Sequence, residues 1–169
     1  RGLPIHTGGF TNNFEYKGFD LSVFFQWSYG NDVLNANRLF FDSGFQKKRE
    51  LNQYASYTDR WTPENPNSNI PAATNSSSNL VISSRVVEDA SFLRLKTVTL
   101  GYTVPKTFLK KYKIDNARLY VAAQNLWTIT GYSGYDPEVS IRSGGLTPGL
   151  DFSSYPRALS VSFGINLGF

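Results

Sequence analysis

The stretch LSVSFGINLGF, Leu159 to Phe169, alternates without a break: Leu159, Val161, Phe163, Ile165, Leu167 and Phe169 are apolar, while Ser160, Ser162, Gly164, Asn166 and Gly168 are small or polar. Successive side chains of an extended chain point to opposite faces, so the pattern predicts a strand with one wholly apolar face. A soluble sandwich strand shares that pattern. Length favours a bilayer: at about 3.4 Å per residue and a tilt of about 45°, the stretch covers roughly 26 Å, close to the ~25 Å apolar band of an outer-membrane barrel. It reads as a membrane strand ending on an aromatic, and the chain as all-β, part of a large transmembrane β-barrel.

Composition fits. Aromatics make up 15% of the 169 residues, yet mean hydropathy is −0.32, because apolar residues come in alternation and not in runs. Stretches such as Val23-Phe24-Phe25 are too short for a membrane helix, whereas a barrel crosses without such runs. The chain carries no cysteine and no methionine. It begins Arg1-Gly2-Leu3-Pro4, without the regions of a signal peptide, and so reads as a fragment or processed piece. The net charge of +4 does not point to nucleic acid, because the basic residues are dispersed. The clusters Lys47-Lys48-Arg49 and Lys110-Lys111-Lys113 read as solvated loop and turn residues.

Four further strands precede the terminal one. Residues 5–16 and 19–30 flank Lys17-Gly18, a two-residue hairpin turn in which Gly supplies positive φ. In the second arm Phe19, Leu21, Val23, Phe25, Trp27 and Tyr29 share a face. The third strand, 92–104, changes phase: Leu93 and Leu95 fall on one parity, Val98, Leu100 and Tyr102 on the other. A bulge near Lys96 reconciles them. The fourth strand, 117–129, places Arg118, Tyr120 and Gln124 on the lumen parity and Leu119, Val121 and Trp127 on the lipid parity. Asn125 also falls on the lipid parity and is expected near the outer interface, its amide satisfied by water. The fifth strand is 157–169.

Long polar segments at 31–90 and 130–156 are the expected outer loops, the first with a short helix around Asp32 to Phe41. The turn after Pro105 is shorter, with a helical piece in Lys106 to Tyr112. If the first hairpin turn is periplasmic, both long loops fall outside and the C-terminus falls in the periplasm, as in outer-membrane barrels. Five strands cannot close a barrel, so the remainder is expected before Arg1.

Four stretches resemble the C-terminal part of the SusC/RagA family of TonB-dependent outer-membrane transporters of Bacteroidota: YKGFDLSVFFQWSYGND from Tyr16, SFLRLKTVTLGYTVP from Ser91, ARLYVAAQNLWTITGYSGYDPEVS from Ala117 and YPRALSVSFGINLGF from Tyr155. The block around Asn125-Leu126 and Thr130 to Glu138 is the most specific. The resemblance implies a plugged barrel of the 22-stranded class, driven by TonB through a missing N-terminal part. It also implies a SusD-like surface lipoprotein as lid and an oligosaccharide or peptide as substrate. The plug domain is absent from this chain. The remaining expected partners are outer-membrane lipid and the barrel-assembly machinery. A passive porin and a cell-surface β-sandwich adhesion module remain as alternatives.

No catalytic, cofactor or metal site is expected. His6 stands alone, and no phosphate loop, dinucleotide fingerprint or nucleophile elbow occurs. Asp136 and Glu138 suggest a glycosidase pair, but after Gly134-Tyr135 they read as turn capping and solvent exposure. Tyr54, Tyr57, Trp61, Tyr132 and Tyr135 fall in the presumed outer loops, where they either pack loop on loop or meet a sugar or a lid. The candidate ligand or lid contacts are Trp61, Tyr132, Tyr135 and Asp136. Phe163, Ile165, Leu167 and Phe169 are the candidate barrel-assembly signal, readable by strand addition.

Overall fold

The computed structural model describes residues 1–44, 52–74, 79–140 and 148–169. The Lys47-Lys48-Arg49 cluster and Asn75 to Ser78 lie outside the described residues. In chain order the elements are β1 (His6–Tyr16), β2 (Phe19–Tyr29), β3 (Asp32–Asn35), α1 (Ala36–Phe41), β4 (Val87–Asp89), β5 (Phe92–Thr103), α2 (Lys106–Leu109), β6 (Asn116–Thr130), β7 (Leu150–Asp151) and β8 (Ser160–Gly168), with short 3₁₀ turns between. They fall into two units: the long strands, and the segments 1–4, 30–91 and 131–156.

The long strands form one antiparallel sheet in the order β1-β2-β5-β6-β8. Lys17 (φ 48°) and Gly18 (φ 87°) close the first hairpin with both turn residues left-handed, as a turn that matches the strand twist requires. The register then shows which side chains share a face. Val161 pairs with Ala123, Ala123 with Val98, and Val98 with Val23. Phe163, Val121, Leu100 and Leu21 form the next row.

The β5 ladder slips at Lys96. Phe24 pairs with Thr97 but Phe25 with Leu95, and on the other side Leu95 faces Trp127 while Thr97 faces Gln124. Lys96 on β5 is bulged against Asn125 and Leu126 on β6, so Leu93 and Leu95 share a face with Val98, Leu100 and Tyr102 despite their opposite parity. That face runs through all five strands and is apolar except for His6 and Asn12 on the edge strand β1.

Asn125 departs from expectation. Its backbone is left-handed (φ 53°), and its Nδ2 donates to the Ala158 carbonyl at 3.0 Å. The amide nitrogen is thus bound by protein while its Oδ1 is buried without a hydrogen-bond partner among the described residues, and the residue serves as the hinge of the bulge. The same kink ends the β6–β8 ladder at Gln124–Ser160, so the terminal strand starts at Ser160 and not at 157.

The 31–90 segment is not a bare excursion. Its residues Asp32–Asn35 form β3, antiparallel to β4 and parallel to β7. The expected helix therefore begins only at Ala36, where Asn35 Oδ1 accepts from the Arg38 amide at 3.3 Å. The β-branched Val33 favours strand over helix, and Asn35 is a good N-cap. Val33, Ala90 and Tyr132 form a small core.

Candidate functional site

Two surfaces carry chemistry, one in each unit. The first is the sheet. Its apolar face exposes Phe10, Phe14, Phe19, Leu100, Leu119, Trp127, Val161, Phe163, Ile165 and Leu167, a contiguous patch far beyond what a water-facing surface carries. Aromatics mark both ends of it. Phe19 and Tyr102 meet at the turn end, with ring centroids 4.6 Å apart. At the loop end Trp27 Nε1 donates to His6 Nδ1 at 3.1 Å, and His6 stacks on Tyr29 at 5.2 Å.

The opposite face is polar and bridged across strands. Arg118 on β6 reaches over β5 to Asp20 on β2, with Nε to Oδ1 at 2.9 Å and Nη2 on Oδ2. Gly101 lies beneath this fork, where a Cβ would stand 2.4 Å from Arg118 Nη2. The Arg118 guanidinium also lies 5.4 Å from the Tyr120 ring centroid. Farther along, Arg94 is buried, with Nε donating to Thr128 Oγ1 at 2.9 Å.

The second surface lies in the loop unit, where a cleft of about 490 Å³ is lined by Asn37, Phe41, Asn52, Gln53, Tyr54, Tyr135 and the run Ser153 to Pro156. Among the described residues no charged side chain lines it. Phe41 and Tyr54 rings meet at 5.3 Å, and Asn37 Oδ1 accepts from the Ser153 amide at 2.7 Å. Burial raises the Tyr54 phenol, with Tyr135 and Asp151 acting in the same direction, so it stays a neutral donor at physiological pH. Neutral amides and hydroxyls among aromatic faces can hydrogen-bond a polyhydroxylated or peptide-like molecule.

A partly buried polar network holds the long segments together. Glu88 accepts from the Ser133 amide and hydroxyl, both at 2.9 Å, and from Asn35 Nδ2 at 3.1 Å. Arg38 Nη1 lies 3.5 Å from Glu88, and Arg38 Nε donates to Asp42 at 3.1 Å. Ser56 Oγ donates to the other Asp42 oxygen at 2.7 Å. Burial alone would raise the Glu88 carboxyl, but the bonds from Ser133 and Asn35 and the Arg38 charge outweigh it and hold the group below its ordinary range.

The sequence candidates separate. Tyr135 is 76% exposed and lines the cleft. Trp61 is exposed at the start of a turn, its amide bonded to the Ile70 carbonyl at 2.8 Å, and does not line the cleft. Tyr132 is no surface contact. It is 6% exposed, its hydroxyl donates to Asp151 Oδ2 at 2.7 Å, and burial followed by that carboxylate drives its pKa upward. Asp136 is also buried, with Oδ1 accepting from the Glu138 amide at 2.9 Å, a turn-capping role that removes it from the ligand candidates. Phe163, Ile165 and Leu167 stand on the apolar face of the edge strand β8, and Phe169 follows its end. Asn37, Phe41 and Ser153 to Pro156 escaped the sequence reading, because segments more than a hundred residues apart build the cleft. The aromatic-proline pair Tyr155-Pro156 was its one local signal. Among the described residues no His, Cys, Asp and Glu side chains cluster to hold a metal ion.

No protein-family profile matches the chain. Curated relatives do. TonB-dependent receptor P3 of Formosa agariphila is 38% identical over 98% of this chain and 16% of its own length. TonB-dependent receptor P26 of the same organism is 36% identical over 99% of this chain and 17% of its own length. TonB-dependent receptor SusC of Bacteroides thetaiotaomicron is 29% identical over 95% of this chain and 15% of its own length. Among solved structures, the RagAB peptide transporter aligns with a TM-score of 0.82 and 31% identity, covering 99% of this chain and 17% of that one. The RagAB peptide importer in its open-open state aligns equally well, at 0.82 and 31%. The chain thus spans about one sixth of the length of these relatives, which are named as receptors, a transporter and an importer.

Proposed function

Since the chain belongs to the SusC/RagA-type TonB-dependent receptors, we propose that it is a wall segment and two surface loops of an outer-membrane barrel that imports oligosaccharides or peptides. The observation that carries this reading is the apolar face shared by five strands, kept in phase through the bulge at Lys96. A lipid-facing wall needs that continuity, because no water is available to tolerate a misplaced polar stripe. A sandwich would need a second sheet over the same face. The other sheet among the described residues has strands of two to four residues, too short to cover it. A passive porin would share the wall, but the relatives are named for dependence on TonB.

In this reading the two long loops are extracellular, the turn ends and the C-terminus are periplasmic, and a SusD-like lipoprotein covers the loops. The cleft beside Tyr135 and the exposed Trp61 are then the contacts to the substrate or to that lid. Phe163, Ile165, Leu167 and Phe169 are presented on an edge strand to the assembly machinery before closure.

Spin labels along β5 of the full-length protein in vesicles test the wall. Labels at Leu95 and Val98 are both expected to collide with apolar oxygen, although one is odd and one even, while a label at Thr97 is not. Strict odd-even alternation through Lys96, or equal accessibility throughout, would overturn the reading.

A further inference from the structure

We propose that the turn following β5 is a headgroup-binding element for anionic phospholipid of the leaflet at the turn end of the sheet, a reading that rests on the barrel wall above. The segment from Val104 to Asp115, VPKTFLKKYKID, concentrates Lys106, Lys110, Lys111 and Lys113 against a single acid, Asp115. Its fold is compact. The Val104 amide donates to the Ala117 carbonyl at 2.9 Å, the Asp115 amide to the Gly168 carbonyl at 2.9 Å, and Leu109 is buried.

With Leu109 serving as the anchor, Phe108 and Tyr112 are left 70% and 68% exposed, one turn apart. A purely solvated turn has no use for two such aromatics, and a site for free phosphate would have none either. Beside an acyl boundary their rings sit at headgroup level, as interfacial aromatics do. Strand direction places this turn at the same end of the sheet as the Lys17-Gly18 hairpin, where Phe19 and Tyr102 end the apolar face. Lys17 Nζ lies 5.1 Å from the Tyr16 ring centroid there. Four ammonium groups, two exposed rings and an adjoining aromatic border together match a phosphodiester headgroup with acyl chains beneath it. Basic residues next to a membrane surface attract anionic lipid in this way.

The test uses the full-length receptor in neutral detergent, its folding checked by altered migration of the unheated protein on gels. Phosphatidylglycerol or phosphatidylcholine is added, and retained lipid is counted by native mass spectrometry. The wild type is expected to prefer phosphatidylglycerol. Lys106→Gln, Lys110→Gln and Lys111→Gln together are expected to remove that preference, on the order of fivefold per lysine. The matching Lys→Arg triple variant is expected to keep it, and Phe108→Ala with Tyr112→Ala to weaken it. Unchanged retention in the Gln variant overturns the proposal, as does displacement of the lipid by millimolar inorganic phosphate. A receptor whose β5 labels behave as required but whose lipid retention ignores these lysines refutes this element alone. A receptor that fails the label test refutes the wall and this element together.

Discussion

In the five-stranded sheet Phe163, Ile165 and Leu167 stand 83%, 64% and 52% exposed, whereas in the loop unit Asn35, Asp42 and Asp151 are buried to 2% or less. The two regions invert each other. The loop unit follows the rule of a water-soluble assembly, with an apolar core of Val33, Ala90 and Tyr132 and a hydrogen-bonded polar network around Asn35, Asp42 and Glu88. The sheet places its hydrophobes outward and bridges its polar face with Arg118 and Asp20. One covalent chain thus carries two rules of burial, and the difference teaches which solvent each region was selected for: hydrocarbon for the long strands, water for the loops.

The sharpest way to break this comparison is to put a charge on each face of the same strand. Val161 pairs with Ala123 and lies in the row that continues to Val98 and Val23, midway along β2. Val161→Arg is expected to cost about 2–4 kcal/mol near the bilayer midplane, and Ser162→Arg, on the lumen side, far less. Denaturant unfolding of the full-length protein in vesicles, followed by the heat-modifiable gel band, measures both. Equal costs would mean that the two faces see the same solvent.

The loop unit answers to a different perturbation. Glu88→Gln removes the charge that Ser133, Asn35 and Arg38 converge on, and charge-assisted bonds of this kind contribute roughly 1.5–3 kcal/mol. Hydrogen exchange at the amides of β3 and Ser133 is the readout, with β2 and β6 expected to stay unchanged. The pH dependence has a fixed sign. Because the folded carboxyl titrates below its unfolded value of about 4.3, its contribution is complete above that pH and lost as pH falls through the lower folded value. Wild type and variant should therefore differ at neutral pH and converge only in stronger acid. A difference that vanished between pH 7 and pH 5 would contradict the assigned network.

The strands were far more legible in the sequence than the cleft, and the reason is the range of the interactions involved. Alternation is a local signal, and the phase change between Leu95 and Val98 located the bulge at Lys96 from β5 alone. The other half of that bulge, Asn125, was misread because its left-handed backbone and its bond to Ala158 depend on a neighbouring strand. Loop packing for Tyr132 and turn capping for Asp136 stood among the sequence readings beside the ligand contact, but the sequence could not choose for Tyr132, which is buried by partners 19 or more residues away. The short strands β3, β4 and β7 have too few residues for a period to emerge, and their pairing is set by distant segments.

Asn125 offers a smaller test inside the wall. Asn125→Gly should be nearly neutral in stability, while Asn125→Ala should cost about 1 kcal/mol, because a Cβ-bearing residue without a local hydrogen-bonding side chain resists positive φ. The same full-length unfolding assay separates the two. Equal stability of the Gly and Ala variants would show that the Ala158 bond, and not the backbone conformation, is what the asparagine supplies.

The smallest change in folding belongs to the cleft, and there the comparison becomes functional. Replacing the whole 131–156 loop would remove Tyr132 and Asp151 together, and so would remove part of the unit's packing along with any contact it makes. Tyr135→Ala avoids that confusion, because the ring is largely exposed and lines the cleft without entering the core. Its expected stability cost is within about 0.5 kcal/mol, typical of surface substitutions. If the cleft meets substrate or lid, loss of one aromatic face should weaken that contact by about 0.5–1.5 kcal/mol, a severalfold change in affinity. Copurification of the surface lipoprotein and uptake of the cognate oligosaccharide or peptide by cells expressing the full-length variant distinguish lid from substrate. Reduced uptake with intact copurification assigns Tyr135 to the substrate, and loss of both assigns it to the lid. No change in either, with folding intact, would leave the loop unit a water-facing cover whose cleft takes no part in import.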